Sequence, residues 1–388
     1  MKIAVLGAGM VGRTIALELA QTHEVASFDR SDDALISLGI KAAERKLKIG
    51  TNLINLLDLD EINQHEHHIL EDFDLIVSAV PGFMGYNVLK AVITAGKNIV
   101  DISFFPEDPS TLDALAKEKG VIALVDFGVA PGMSNLILGY CNSIMKVTDF
   151  ECLVGGLPKV RVKPFEYKAP FSPIDVLEEY TRPARYMENG IIVTKPALSD
   201  TELVIFKNIG TLESFNTDGL RSLLFTMSHI PNMKEKTLRY PGHVDLMKAL
   251  ISAGFLSKTT IAKNITPQTS IQISPLEFTS TILFDQWKLN PNEKEFTVMR
   301  IKVSDENKTL IYDLYDEYDP ETKTSSMSRT TGYAACAAVE LLRCEMWNAP
   351  GVYPPEIIGG DEQRFMYIMN YLYTKGINYK ETIIDRQF

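Results

Sequence analysis

What the chain has little of narrows it first. Its 388 residues include only four cysteines, Cys141, Cys152, Cys336 and Cys344. None forms a CxxC pair, which disfavours a zinc ribbon or a dithiol redox motif; buried or free thiols in a reducing compartment are expected. Basic side chains are outnumbered, 39 Lys and Arg against 50 Asp and Glu, for a net charge of -11. Nucleic acid and acidic membranes both demand basic patches, so neither is an expected partner. No apolar run is long enough to cross a bilayer. The first strand begins at Lys2, with no stretch before it that reads as a leader, so a cytoplasmic protein is expected. No metal is expected either. His65-Glu66-His67-His68 is the nearest thing to a metal cluster, but adjacent side chains point in different directions, and a solvated surface turn is the better reading.

What is present reads as ordinary globular sequence, 45% hydrophobic and 23% charged, long enough for two or three domains. The first thirty residues organise it. Lys2 to Leu6 is an apolar run, Gly7-Ala8-Gly9-Met10-Val11-Gly12 follows at once, and Val11, Ile15 and Leu19 then recur at helical spacing. This predicts strand, glycine turn and helix. Gly7 permits the tight turn, Gly9 lets a pyrophosphate approach the backbone, and Gly12 lets the helix pack on the strand. The free N–H groups of Met10, Val11 and their neighbours at the helix start favour phosphate oxygens. Asp29 ends the second strand, where a carboxylate accepts bonds from ribose hydroxyls and repels a 2′-phosphate. NAD is therefore expected ahead of NADP, although Arg30 beside it is a group that accepts such a phosphate.

Residues 31 to 73 are expected to hold one or two further βα units. Asp74 to Val80 is a near-continuous apolar strand ended by Pro81-Gly82, as in a parallel sheet buried on both faces. Ala79, Val80 and Pro81, with Gly82 and Phe83 after them, fall at the carboxyl end of that sheet and are expected to flank the cofactor. Helices at about 87–95 and 112–119 alternate with strands at 98–103 and 121–126. The sheet is expected to be doubly wound and complete by about residue 127. Asp126 then stands at a strand end beside the glycine-proline turn 127–134. There it suits a proton acceptor or amine anchor; a capping or hinge aspartate is the alternative reading.

Beyond 130 the pattern changes. Strand-like runs at 150–154, 191–193 and 203–206, and an expected hairpin of 296–303 with 309–318, predict an α+β domain containing an antiparallel sheet with one wet face. The alanine-rich run 328–347 returns to helix and is expected to pack closely on the first domain. Residues 349–356 read as an extended arm. The boundaries expected are 1–130 for the doubly wound domain, with 329–388 returning to it, and 131–328 for the α+β domain.

Several stretches together carry a family resemblance: the glycine turn, Asp126 to Met133, Val154-Gly155-Gly156-Leu157-Pro158, Phe215-Asn216-Thr217, Lys236 to His243, Ser328-Arg329-Thr330-Thr331 and Gly351 to Glu356. The chain resembles the saccharopine dehydrogenase-like superfamily, and within it the lysine 6-dehydrogenase branch. The resemblance implies a Rossmann domain, 1–130 completed by 329–388, beside an α+β domain, 131–328, that binds substrate and forms a homodimer. It also implies NAD-dependent oxidation of the side-chain amine of L-lysine to 2-aminoadipate 6-semialdehyde and ammonia in the cleft between them. It departs at Asp218 and Arg221, where small and hydroxyl residues are expected in the lysine enzymes.

Oxidising an amine-bearing carbon needs a base for the amine, a carbon about 3–3.5 Å from the nicotinamide ring, and a grip on the far end of the substrate. Arg239 is the expected carboxylate clamp, with an interdomain ion pair as the alternative. His243 is a proton-exchanging group or a structural histidine. Asp126 is the base or amine anchor, and Thr217 and Tyr167 are further polar contacts. Two other functions stand beside this one: a secondary-amine oxidoreductase of the saccharopine or carboxynorspermidine type, and a non-catalytic NAD-binding sensor.

Overall fold

The computed structural model describes residues 1–59, 69–169, 173–266, 269–290 and 293–385. The histidine run 65–68 lies outside the described residues.

Six strands alternate with helices at the start of the chain: β1 (Lys2–Leu6), β2 (Glu24–Asp29), β3 (Ile49–Leu53), β4 (Leu75–Ser78), β5 (Asn98–Asp101) and β6 (Ile122–Leu124). They pair in parallel in the order β6-β5-β4-β1-β2-β3, which is the doubly wound dinucleotide-binding order, with its crevice at the switch between β1 and β4. The central strands carry continuous apolar runs because helices cover both faces: Ile3, Val5, Leu75 and Val77 enter one core, and Ala4, Leu6, Ile76 and Ile99 the other.

The second sheet contains β7 (Asp149–Pro158), β8 (Ala184–Glu188), β9 (Ile191–Lys195), β10 (Glu202–Phe206), β11 (Gly210–Asn216), β12 (Asn232–Arg239), and, after a separate hairpin of β13 (Ile261–Thr266) and β14 (Thr269–Ile273), β15 (Glu295–Ser304) and β16 (Lys308–Glu317). It is mixed rather than purely antiparallel: β12 runs parallel to β7 in its centre, because the long excursion 159–231 lets the chain re-enter from the same end. The expected hairpin is β15 with β16. Its Met299, Ile301 and Val303 are fully buried. Its other face is lined with ion pairs, Arg300 Nε to Asp313 at 2.7 Å and Lys302 Nζ to Glu151 at 2.7 Å.

The chain's last stretch is shared between the two sheets. Helix Ser326–Arg343 lies against helix Met10–Leu19, with Ala334, Ala335, Ala337 and Ala338 fully buried. A Cβ at Gly332 would stand 3.3 Å from Ile15, so small residues set this approach. The parallel sheet is not complete at 127. β17 (Gly351–Tyr353) adds a seventh strand beside β6, Gly351 N donating to Val121 O at 2.8 Å. The expected arm is thus a short strand followed by helix Pro355–Gly359, whose proline stands at a first-turn position where its missing N–H costs nothing. β18 (Tyr379–Asp385) instead pairs with β16 in the second sheet. Among the described residues no helix is long and apolar enough to cross a membrane.

Candidate active site

A cavity of about 550 Å³ runs from the glycine turn across to the second sheet. Its first half is built by β1, β2 and β4. Gly7 has φ +101, and a Cβ there would meet Ala79 O at 2.5 Å; one on Gly12 would meet Gly7 O at 2.1 Å. A Cβ on Gly9 would meet nothing within 4 Å. So two of the glycines are dictated by close packing, and the middle one leaves open space at the start of helix Met10–Leu19, where no side chain caps the free N–H groups. Asp29 Oδ2 accepts from Ala8 N at 2.6 Å and Oδ1 from Ser31 N at 2.8 Å. These bonds tie the end of β2 to the glycine turn and fix the carboxylate at the cavity edge. Gly7, Gly9, Met10, Val11, Gly12, Asp29, Arg30, Ala79, Val80 and Pro81 all line this one cavity. The cradle, the uncapped helix start and the anchored carboxylate fit a dinucleotide.

The second half is built largely by β12. Side chains alternate across a strand, so Glu235, Thr237 and Arg239 share the face turned to the cavity, and all three line it. Lys236 on the other face is bonded to Glu202 at 2.7 Å and Asp200 O at 2.7 Å. Thr217 also lines the cavity, its hydroxyl 3.0 Å from that of Thr237. Helix Pro173–Thr181 contributes Asp175, Glu178 and Glu179, spaced to share one face.

Arg239 lies in the cavity wall but is not a free clamp. It donates through Nε to Tyr180 Oη at 3.0 Å, through Nη1 to Leu238 O at 3.0 Å, and through Nη2 to Glu179 at 3.1 Å, and it sits 4.3 Å over the Tyr167 ring. Burial alone would lower its pKa, but Tyr167, Tyr180 and Glu179 outweigh that and hold the guanidinium charged. A substrate carboxylate there must share the fork with Glu179.

The setting of His243 fits the structural one of its two readings. It does not line the cavity. Its Nδ1 lies 2.9 Å from Phe165 O, a geometry in which it donates, and its Nε2 lies 2.9 Å from the Tyr180 hydroxyl, which it then accepts. Burial, with the charge of Arg239 adding to it, lowers its pKa to about 3. Its position is relayed through Tyr180 to Arg239.

The setting of Asp126 likewise fits its hinge reading rather than that of an amine anchor. It is absent from the cavity wall, although Gly128 to Pro131 are in it. The chain leaves β6 through a left-handed Asp126, φ +59, and the carboxylate accepts from Arg221 Nε at 3.0 Å in a buried ion pair. Arg221 also donates to Phe105 O and lies 4.9 Å over the Phe104 ring. The two charges that depart from the resembled pattern are therefore both paired, since Asp218 holds Arg185 at 3.0 and 2.9 Å. Of these two, only Asp218 lines the cavity.

Reading the sequence missed Glu235, Glu179 and Arg182. The signal for Glu235 was available in the strand's period of two: it stands two residues before Thr237 and four before Arg239. Glu179 lies on helix Pro173–Thr181 and Arg182 directly after it, both brought in by tertiary folding, and no local pattern marks them. Among the described residues no group of three or more His, Cys, Asp or Glu suits a metal ion.

Fold and cavity together define a two-domain nucleotide-binding protein with an acidic pocket facing the nucleotide crevice. Sequence profiles sharpen that. The Saccharopine dehydrogenase NADP binding domain matches residues 3–124 and the Saccharopine dehydrogenase C-terminal domain residues 128–377; the chain belongs to the saccharopine dehydrogenase family. It is 24% identical over 275 residues to the mitochondrial alpha-aminoadipic semialdehyde synthase of Rattus norvegicus, covering 67% of this chain and 29% of that protein. It is 27% identical over 199 residues to the NADP(+), L-glutamate-forming saccharopine dehydrogenase of Pyricularia oryzae, covering 47% and 44%. The match thus spans less than half the length of these relatives. Among solved structures, apo saccharopine dehydrogenase (L-Glu forming) of Saccharomyces cerevisiae shares the fold, with a TM-score of 0.75 at 19% identity over 99% of each chain.

Proposed function

We propose that the chain is a nicotinamide-dependent oxidoreductase that acts on the carbon–nitrogen bond of an amino-acid amine, with the side-chain amine of L-lysine as the preferred candidate. The observation that carries this is the cavity's continuity: the glycine cradle and the acidic wall of Asp175, Glu178, Glu179, Asp218 and Glu235 border the same space, against Arg182 and Arg239 as the cations of the substrate half. An excess of carboxylates favours a cationic amine and works against a substrate rich in carboxylates. That charge balance supports the lysine-type reaction over saccharopine cleavage, the reaction named for the fungal relatives. A bound nicotinamide supplies the hydride acceptor. The protein's part is to hold the amine, take its proton and exclude water.

NAD is the cofactor proposed, from the carboxylate of Asp29 at the ribose position. NADP is the alternative that Arg30 in the cavity wall and the matched domain's description favour. A cytoplasmic homodimer is proposed with it. The test is formation of NADH and NADPH over L-lysine, L-saccharopine, carboxynorspermidine and simple diamines. Ammonia release from lysine is expected. An oxo-acid product from saccharopine would replace that reading with the secondary-amine one, and cofactor binding with no turnover would replace it with the sensor.

A further inference from the structure

We propose that Glu235 is the residue that seats the substrate's ammonium and receives its proton, so that the pocket selects for a side-chain amine through this carboxyl. The inference rests on the amine-oxidoreductase reading above and names the residue that decides it.

Three features of its setting point there. Glu235 is in the cavity wall beside Thr237 and Arg239, yet its Oε2 is buried and has no hydrogen-bond partner among the described residues. The neighbouring carboxylates of the wall are spoken for: Glu179 by Arg239, Asp218 by Arg185, Glu178 by Arg182. The loop after β11 is also shaped around this carboxyl. A Cβ on Gly219 would fall 1.8 Å from Glu235 Oε1, so any other residue there would push the acid out of place. A buried acid with an unpaired oxygen is costly to a fold, and this one belongs to a side chain that lines the cavity, where a ligand that displaces the carboxyl slightly can complete it.

The surrounding charge says which ligand. Glu179 on helix Pro173–Thr181, Asp218 in the loop after β11 and Asp126 after β6 all oppose a second negative charge at Glu235, while Arg221 favours it and is outweighed. Cys152 lies across from it on β7, and the Tyr186 hydroxyl donates to its backbone carbonyl at 2.6 Å; neither side chain supplies a positive charge. Burial, reinforced by those three carboxylates, lifts the Glu235 pKa to about 8. The empty pocket therefore holds a neutral acid at pH 7, and a cation entering it ionises the acid. The sign follows: binding an ammonium expels a proton to solvent at pH 7, and affinity rises with pH up to about 8. Once paired, an N–H bond of the ammonium breaks and an O–H bond forms at Glu235. The electron pair stays on nitrogen, free to form the C=N bond when the hydride leaves the adjacent carbon.

The experiment is calorimetric binding of L-lysine and of L-norleucine, its counterpart without the side-chain amine, to the protein saturated with NADH. It is run at pH 6, 7 and 8 in two buffers of different ionisation enthalpy. The wild type is expected to prefer lysine by about 30-fold or more, the lower end of what removing one partner of a buried charge pair costs, and to release about one proton per lysine at pH 7. Glu235→Gln is expected to lose both the preference and the proton, with no fall in melting temperature; Glu235→Asp is expected to recover part of each. A Glu235→Gln protein that keeps the lysine preference and the proton release would overturn the assignment while leaving the amine reading in place. Should the wild type take up L-saccharopine instead, the same proton count and the same variant decide the matter with that ligand. A wild type that takes up none of these amines removes both the assignment and the reading.

Discussion

The carboxylate of Asp29, the proposed ribose contact, already accepts a hydrogen bond from Ala8 N. It spends one oxygen on the glycine turn, and the other on Ser31 N, so the group is oriented before any ribose arrives. Asp29→Ala should then do two things: remove charge-assisted bonds to the ribose, worth about 1.5–3 kcal/mol, and loosen the turn that presents the phosphate site. NAD affinity is expected to fall by about tenfold or more, read by NADH fluorescence titration, while affinity for NADP falls less because the repulsion of its 2′-phosphate goes too. An equal loss for both would detach Asp29 from cofactor choice. His243 gives the opposite kind of expectation. With both ring nitrogens bonded and its pKa held near 3 by burial and by Arg239, it stays neutral across physiological pH. His243→Gln should lower turnover through the displaced Tyr180 and Arg239 but leave the shape of the pH–rate profile between pH 5 and 8 unchanged; a profile that loses a limb would restore the histidine as a proton carrier. The same pair of residues shows how legible the site was. The cofactor half could be read from sequence because one continuous strand–turn–helix carries it, each glycine answering to a local steric need. The roles of Asp126 and His243 could not, because what fixes them is a partner about a hundred or sixty residues away: Arg221 in one case, Tyr180 in the other.

At the scale of elements, the carboxyl-terminal segment is held to the first half of the chain by backbones in close approach. A Cβ on Gly139, in helix Met133–Ile144, would lie 2.2 Å from Glu356 O, and one on Gly359, in helix Pro355–Gly359, 2.1 Å from Leu136 O. Each glycine clears the other helix's backbone, and Glu356 then reaches Asn135 Nδ2 at 3.1 Å and the Thr226 hydroxyl at 2.6 Å. In an open helix, alanine for glycine would stabilise by about 1 kcal/mol. Here the clash is with backbone, which has no rotamer to change, so overpacking wins. Gly139→Ala and Gly359→Ala should each destabilise by a net 1–3 kcal/mol or so, seen as a lower melting temperature. An unchanged or raised melting temperature in either would mean that the helices part at no cost. This pairing also explains why residues 349–356 read as an arm. The run Pro-Gly-Val-Tyr-Pro-Pro has no periodicity of its own, and its strand exists because β6 offers an unpaired edge. Strands β1 and β4 were legible for the converse reason: they are buried on both faces and show it as near-continuous apolar runs.

The molecule as a whole stores several buried acids whose protonation opposes that of ordinary surface groups. Burial lifts Glu235 to about 8, Asp101 to about 7 and Glu295 to about 7. Each has a folded pKa above its unfolded one, so the native state binds the extra proton. Stability from such a group is full below the unfolded pKa, near 4.5 for Glu235, and drains away as pH climbs to the folded value, at about 1.4 kcal/mol per unit for one group. Asp101 and Glu295 level off near pH 7, which leaves Glu235 still descending between pH 7 and 8. Comparing the wild type with Glu235→Gln isolates it, since every other titration is common to both. With no ligand bound, the two should melt within a degree or two of each other at pH 5, where the acid is neutral in the fold and amide replaces acid almost isosterically. By pH 9 the variant should be the more stable by several kcal/mol on this scale, and its advantage should grow most steeply between about pH 5 and 7.5. A difference that is flat with pH would show that Glu235 is either solvated or already paired in the free protein, and a difference that grows toward acid would reverse the sign and place a cation against it. An amine in the pocket should close the gap from the other side, because the ionised acid then has its counter-charge and the wild type recovers the stability that the variant gained by substitution.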